Sequence, residues 1–146
     1  MAGTLSGAVL TYLFGRRSAL RTERTARREQ IRADRISAYL AFAEAVTDCR
    51  RAAYDGWHRQ HDRSDQDVVA EASAEYYRYR SAAEHALLRI KLVASDAREI
   101  VGAAREALDA ATQVQRAKDE SHVTELGDHA ARKVDTFIAV AASQIQ

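Results

Sequence analysis

Apolar residues recur every three or four positions along most of the chain, and this spacing is typical of amphipathic α-helices. The first helix is predicted from about residue 5 to Gly56, with an inner stripe made of Ile31, Tyr39, Phe42, Val46, Cys49, Ala53 and Trp57. Three later segments repeat the pattern. Their stripes are Val69, Ala72, Tyr76, Tyr79, Ala83, Leu87, Ile90 and Ala94; Ile100, Ala104, Ala107, Ala111 and Val114; and Val123, Leu126, Ala130, Val134, Phe137, Ala141 and Ile145.

Short polar runs separate the four predicted helices. The first connection is residues 58–67, with Ser64 or Asp65 as N-cap of the second helix, and the last is residues 115–121. Ser95 or Asp96 is predicted to cap the third helix. Proline is absent, which favours long helices. We therefore predict an all-α fold, an up-down four-helix bundle whose long first helix extends into an N-terminal apolar anchor. A coiled-coil oligomer is the alternative, because the stripes have heptad-like spacing.

The start of the chain has a different character from the bundle. Residues 2–15 carry no charge and are followed by arginines at 16, 17, 21, 24, 27, 28, 32 and 35. This junction is typical of a membrane helix that meets the cytoplasmic face, so we expect residues 1–15 to anchor the chain in the inner membrane. Residues 16–35 would form a juxtamembrane helix and residues 36–146 a bundle in the cytoplasm. A secretory signal is disfavoured, because there the positive charge precedes the apolar region.

The length of the uncharged segment leaves three interpretations open. Fourteen helical residues rise about 21 Å, whereas the bilayer core is roughly 30 Å thick. Met1 could truncate a longer anchor, or the segment could lie in the membrane interface or thin the bilayer. Alternatively, it is a soluble helix packed on the bundle. Small residues recur every four positions and predict helix self-association, at Gly3, Gly7, Thr11 and Gly15.

Charge is distributed unevenly along the chain. Residues 16–35 hold eight arginines and three acidic residues, a net charge of +5, and the remaining residues carry −4. Such a basic segment binds anionic headgroups, so we predict membrane or phosphate contacts for Arg16, Arg17, Arg21, Arg24, Arg27 and Arg28. Nucleic acid is the alternative ligand of the basic face from Arg16 to Arg35. We favour lipid, because the arginines adjoin the apolar segment and the acidic remainder would repel a polyanion.

Few residues suggest chemistry. His58 and His61 lie with aspartates near the first connection, and Asp119 with His122 repeats an Asp-x-x-His spacing near the third. Up-down topology would bring both groups to one end of the bundle, so these histidines are candidate metal ligands. The alternative, which we favour, is that they are ordinary turn and cap residues. The chain has no phosphate-binding glycine loop, paired zinc motif or nucleophile elbow. We expect neither an enzyme nor a bound cofactor.

Residues 16–53, RRSALRTERTARREQIRADRISAYLAFAEAVTDCRRAA, resemble uncharacterised actinobacterial single-pass membrane-anchored helical proteins. The resemblance lies in an apolar start, an arginine-rich helix and a Tyr-x-x-Phe-x-x-Ala stretch at Tyr39, Phe42 and Ala45. It implies a membrane anchor but no activity. We therefore expect a membrane-anchored, cytoplasm-facing bundle that acts as a protein-interaction or assembly subunit through self-association or another protein. The alternative is a soluble nucleic-acid-binding bundle.

Overall fold

The computed structural model describes residues 5–62 and 64–145, with side-chain surroundings given from residue 11 onward. Over this part of the chain the fold is all-α with no strand, as predicted. The helices are α1 (Leu5–His61), α2 (Gln66–Val93), α3 (Arg98–Gln113) and α4 (Glu120–Ile145), and a 3₁₀ turn at Val114–Arg116 follows α3. The chain divides after Asp34 into two structural units, both of which contain part of α1.

The second unit, from Arg35 onward, is the four-helix bundle. The predicted stripe of α1 is buried from Tyr39 to Trp57, and most residues of the other three stripes are buried as well. Those three stripes missed three buried residues, Leu108, Ala110 and Gly127. Phe137 of α4 packs edge-on against Phe42, with 4.8 Å between ring centroids. Alanine supplies much of the core, so the helices approach closely.

Contacts at both ends of the bundle establish its up-down topology. At one end, Nε of Arg35 in α1 donates to the carbonyl of Val93 at the end of α2, at 3.0 Å. At the opposite end, the indole N–H of Trp57 donates to the carbonyl of Ala117, at 2.9 Å. The start of α1 in this unit therefore lies beside the end of α2, and the end of α1 lies beside the start of α4.

Several predicted helix limits were wrong. Helix α1 continues to His61, because buried Trp57 keeps the last turn packed on the bundle, so the connection shrinks to residues 62–65. Asp65 is the N-cap residue of α2 as predicted, but its side chain makes no capping hydrogen bond. Ala97, not Ser95 or Asp96, occupies the N-cap of α3. Asp96 instead accepts a hydrogen bond from Arg35, at 2.7 Å.

The first unit has no buried side chain among those described. Ile31, which the sequence places on the inner stripe, is 45% exposed. The stripe has no partner helix within this unit, so helical periodicity alone does not bury it. Of the predicted self-association residues, Gly3 lies outside the described residues, whereas Gly7, Thr11 and Gly15 fall in α1.

Gly102 lies within α3, where glycine has a lower helix propensity than alanine would have. A Cβ atom added there would have no heavy atom within 4 Å, and the backbone is helical. Replacing Gly102 with alanine should therefore raise the free energy of unfolding by roughly 0.5–1 kcal/mol, because alanine loses less backbone entropy. Urea denaturation followed by circular dichroism measures the change. A loss of stability would contradict the open surroundings of this position.

Candidate interaction surfaces

The arginines of the first unit lie on one side of α1. At about 100° per residue, the seven from Arg16 to Arg32 occupy an arc of about 160°; they are Arg16, Arg17, Arg21, Arg24, Arg27, Arg28 and Arg32. We call this set the arginine face. All seven are exposed, and none forms an ion pair with any side chain described from residue 11 onward. The first unit carries a net charge of +4, from seven arginines and three acidic residues.

Arg35 does not belong to this face. In the sequence it continues the basic segment, but its side chain is part-buried and hydrogen-bonded to Val93 and Asp96. The guanidinium holds the pKa of the Asp96 carboxyl below its usual range, mainly through this hydrogen bond. Sequence spacing could not reveal this, because the partners are some 60 residues away in the chain.

Among the side chains described from residue 11 onward, three large apolar ones precede the arginine face. Tyr12 and Phe14 are each 69% exposed and Leu13 is 49% exposed. Within the described residues, no helix combines the length and the hydropathy needed to cross a membrane.

An apolar groove runs between α1 and α4 of the bundle. Its volume is about 190 Å³, and all nine residues that line it are apolar or aromatic. They include Ile36, Leu40 and Ala43 from α1 and Ile138, Ala142 and Ile145 from α4. Leu40 is 68% exposed and Ile138 48% exposed. This surface could not be predicted from the inner stripes, because Leu40 and Ile138 lie just beside them and no other described helix covers these two side chains.

The predicted metal candidates serve local structural roles. His61 stacks on Trp57, with ring centroids 3.9 Å apart, and His58 contacts the same indole edge-on. The backbone N–H of His122 donates to the Asp119 carboxylate at 2.8 Å, an N-terminal capping bond for α4. Among the described residues, no three His, Cys, Asp or Glu side chains are close enough to share a metal ion.

Cys49 is fully buried in the core, and burial raises the pKa of its thiol to about 11. At pH 8 we expect the folded chain to react with a thiol reagent at least ~100-fold more slowly than the urea-unfolded chain, because both access and thiolate are reduced. A chromogenic disulfide reagent measures both rates, and glutathione is the control. The thiol has a higher pKa in the folded chain than in the unfolded chain, so its protonated form favours folding. This contribution to the free energy of unfolding is complete below pH 9 and is lost as the pH rises towards 11. Equal rates would contradict the burial of Cys49.

Comparison with known proteins shows to which family the bundle belongs. A family model described as KilB plasmid transfer protein matches residues 36–145. No curated protein and no solved structure matches significantly. The match covers most of the chain but starts after the arginine-rich segment, so it does not bear on the membrane-anchored actinobacterial character that the sequence resemblance implied. The chain belongs to the KilB plasmid transfer protein family.

Proposed function

We propose that this protein is a non-catalytic subunit of a plasmid transfer system, which binds the inner membrane through its first unit and another protein through its bundle. The arginine face is the observation that carries the proposal. Seven exposed guanidinium groups on one side of a helix form a strongly positive surface without internal ion pairs. Near an anionic bilayer, each basic residue contributes about 1 kcal/mol of binding free energy.

The exposed apolar residues favour lipid over nucleic acid as the ligand of this helix. Tyr12, Leu13 and Phe14 come directly before the arginines, and aromatic and leucine side chains insert into the interface between headgroups and acyl chains. The sugar-phosphate backbone of a nucleic acid duplex has no apolar layer into which these side chains could insert. An interfacial helix also needs no 20-residue apolar span, which agrees with the hydropathy of the described residues.

Vesicle flotation with the intact chain tests membrane binding. We expect it to float with vesicles containing phosphatidylglycerol, to remain behind with pure phosphatidylcholine, and to dissociate as salt rises, because salt screens the attraction. Duplex DNA is the competing ligand. Failure to bind anionic vesicles would overturn the membrane proposal, and tighter, salt-sensitive retention of DNA would favour the nucleic-acid alternative.

The apolar groove is the surface we assign to a protein partner. An amphipathic helix of another transfer protein would cover it, since such grooves bind helices through apolar anchors. Replacing Leu40 and Ile138 with aspartate should lower the frequency of plasmid transfer at least ~10-fold, because charges would be buried in the contact. Tyr77, which is 60% exposed on α2, offers a matched control as Tyr77→Asp. Equal transfer frequencies, at equal protein levels and helicity, would exclude the groove.

A further inference from the structure

A second cavity, of about 380 Å³, opens between the end of α2 and the start of α3. Three basic side chains line it: Lys91 from α2 and Arg98 and Arg105 from α3. Ser95, Val101 and Gly102 complete the lining, and among the described residues no carboxylate contributes to it. Its volume is in the range of small-ligand pockets.

Carboxylates lie close to this cavity in the sequence, but none of those described pairs with its basic side chains. Within the described chain, Lys91, Arg98 and Arg105 form no ion pair. Asp96 is bonded to Arg35, and Glu106 is bonded to Lys133, each at 2.7 Å. Three cations without an ion-pair partner around one concave space favour an anionic ligand, and a phosphate group accepts hydrogen bonds from arginine in a bidentate manner.

Gly102 keeps the space between the two arginines open. Residues 98, 102 and 105 share one face of α3, since they are spaced by four and three positions. A Cβ at residue 102 would meet no heavy atom within 4 Å apart from its own helix backbone, so the glycine leaves open space in the lining of the cavity. We therefore expect a larger side chain at this position to fill part of the cavity.

Two exposed leucines indicate which kind of phosphate compound fits. Leu88 is 53% exposed and Leu92 81% exposed. Both belong to α2 and lie within about 100° of Lys91 around the helix axis. Free phosphate has no aliphatic part to contact them, and nucleic acid offers only sugar carbons and the thymine methyl group, whereas a phospholipid has long acyl chains.

We propose that the cavity lined by Lys91, Arg98 and Arg105 binds the headgroup phosphate of an anionic phospholipid, with Leu88 and Leu92 against its acyl chains. This inference rests on the proposed membrane association. It adds a lipid contact on the bundle itself, separate from the arginine face.

The test uses the intact, isotope-labelled chain and dihexanoyl phosphatidylglycerol below its critical micelle concentration. Amide resonances of Leu92, Val101 and Gly102 should shift saturably, and dihexanoyl phosphatidylcholine and inorganic phosphate should produce much weaker shifts. The Arg98→Gln/Arg105→Gln variant should bind on the order of 100-fold more weakly, because two charge-assisted hydrogen bonds to the phosphate are lost. Arg116→Gln/Arg132→Gln removes the same charge elsewhere and should bind normally.

A variant that blocks the cavity without changing charge separates binding from stability. Gly102→Leu should abolish the shifts while the unfolding midpoint is kept or raised, since the added side chain meets open space. Equal binding of inorganic phosphate, competition by duplex DNA at these amides, unchanged binding by Gly102→Leu, or no shift at all would each overturn the proposal. The four-arginine variant described below should lose vesicle binding but keep these shifts, so failure at one surface can be distinguished from failure at the other.

Discussion

The variant with Arg24, Arg27, Arg28 and Arg32 replaced by glutamine should bind phosphatidylglycerol vesicles about a thousandfold more weakly than the unaltered chain. Each of these side chains is exposed on the arginine face, so each substitution removes an attraction of about 1 kcal/mol without disturbing a buried contact. Glutamine preserves helix propensity almost fully. Vesicle titration at fixed, low salt measures the affinity.

A control with the same change of net charge comes from the bundle. Arg59, Arg78, Arg116 and Arg132 are also exposed, and their replacement by glutamine should change vesicle affinity several-fold at most. If both variants bind equally weakly, net charge alone governs the interaction and the one-sided face has no particular role. If neither variant is weakened, the arginines do not contact lipid.

Replacement of Phe137 with alanine should lower the free energy of unfolding by about 3–5 kcal/mol. The side chain is fully buried and its ring contacts both Phe42 and Tyr39, with centroid distances of 4.8 and 6.2 Å. Truncation leaves a cavity where α1 and α4 meet, and the cost is a large fraction of the stability of a typical domain. Urea denaturation monitored by circular dichroism measures it.

The neighbouring residue provides a close control. Ile138 is 48% exposed, so Ile138→Ala should cost about 1 kcal/mol or less. Should Phe137→Ala fail to fold, Phe137→Leu gives a milder test, because it retains most of the apolar volume. Similar losses for Phe137→Ala and Ile138→Ala would contradict the packing of α4 on α1.

The proposed functions require surfaces rather than a reactive centre. The arginine face, the apolar groove and the cavity at Lys91 are all exposed, and each has its own pair of variants that leaves the core intact. The family match covers residues 36–145, which contain the groove and the cavity but not the arginine face. Vesicle binding, plasmid transfer frequency and competition by DNA then distinguish lipid contact, protein contact and DNA contact.

Helix number and core composition could be predicted from the sequence, because a helical period imposes one buried stripe on each segment that has partners. Tyr39, Phe42, Val46, Cys49 and Trp57 were predicted on the stripe of α1, and all are buried. Ile31 continues the same spacing but is exposed. Periodicity reports which face is apolar, and burial additionally requires a neighbouring helix.

Helix ends were predicted less well, since they depend on distant contacts. The indole of Trp57 reaches Ala117, which holds the last turns of α1 beyond the expected end at Gly56. Asp96 was a plausible cap by residue type, but Arg35 binds its carboxylate across the bundle. Local propensity ranks the candidates for a cap, and tertiary partners decide which residue takes the position.

By itself, the sequence determined the all-α class and the stripes that form the core. It also determined that an uncharged segment is followed by an arginine-rich one. These features depend only on the order of residues along single helices. Only the tertiary structure decided that Leu40 and Ile138 share an open groove and that Lys91, Arg98 and Arg105 surround one cavity. Both surfaces combine residues from different helices, and their formation depends on which helix faces remain uncovered after packing. That choice is made by the whole bundle, so no local pattern encodes it.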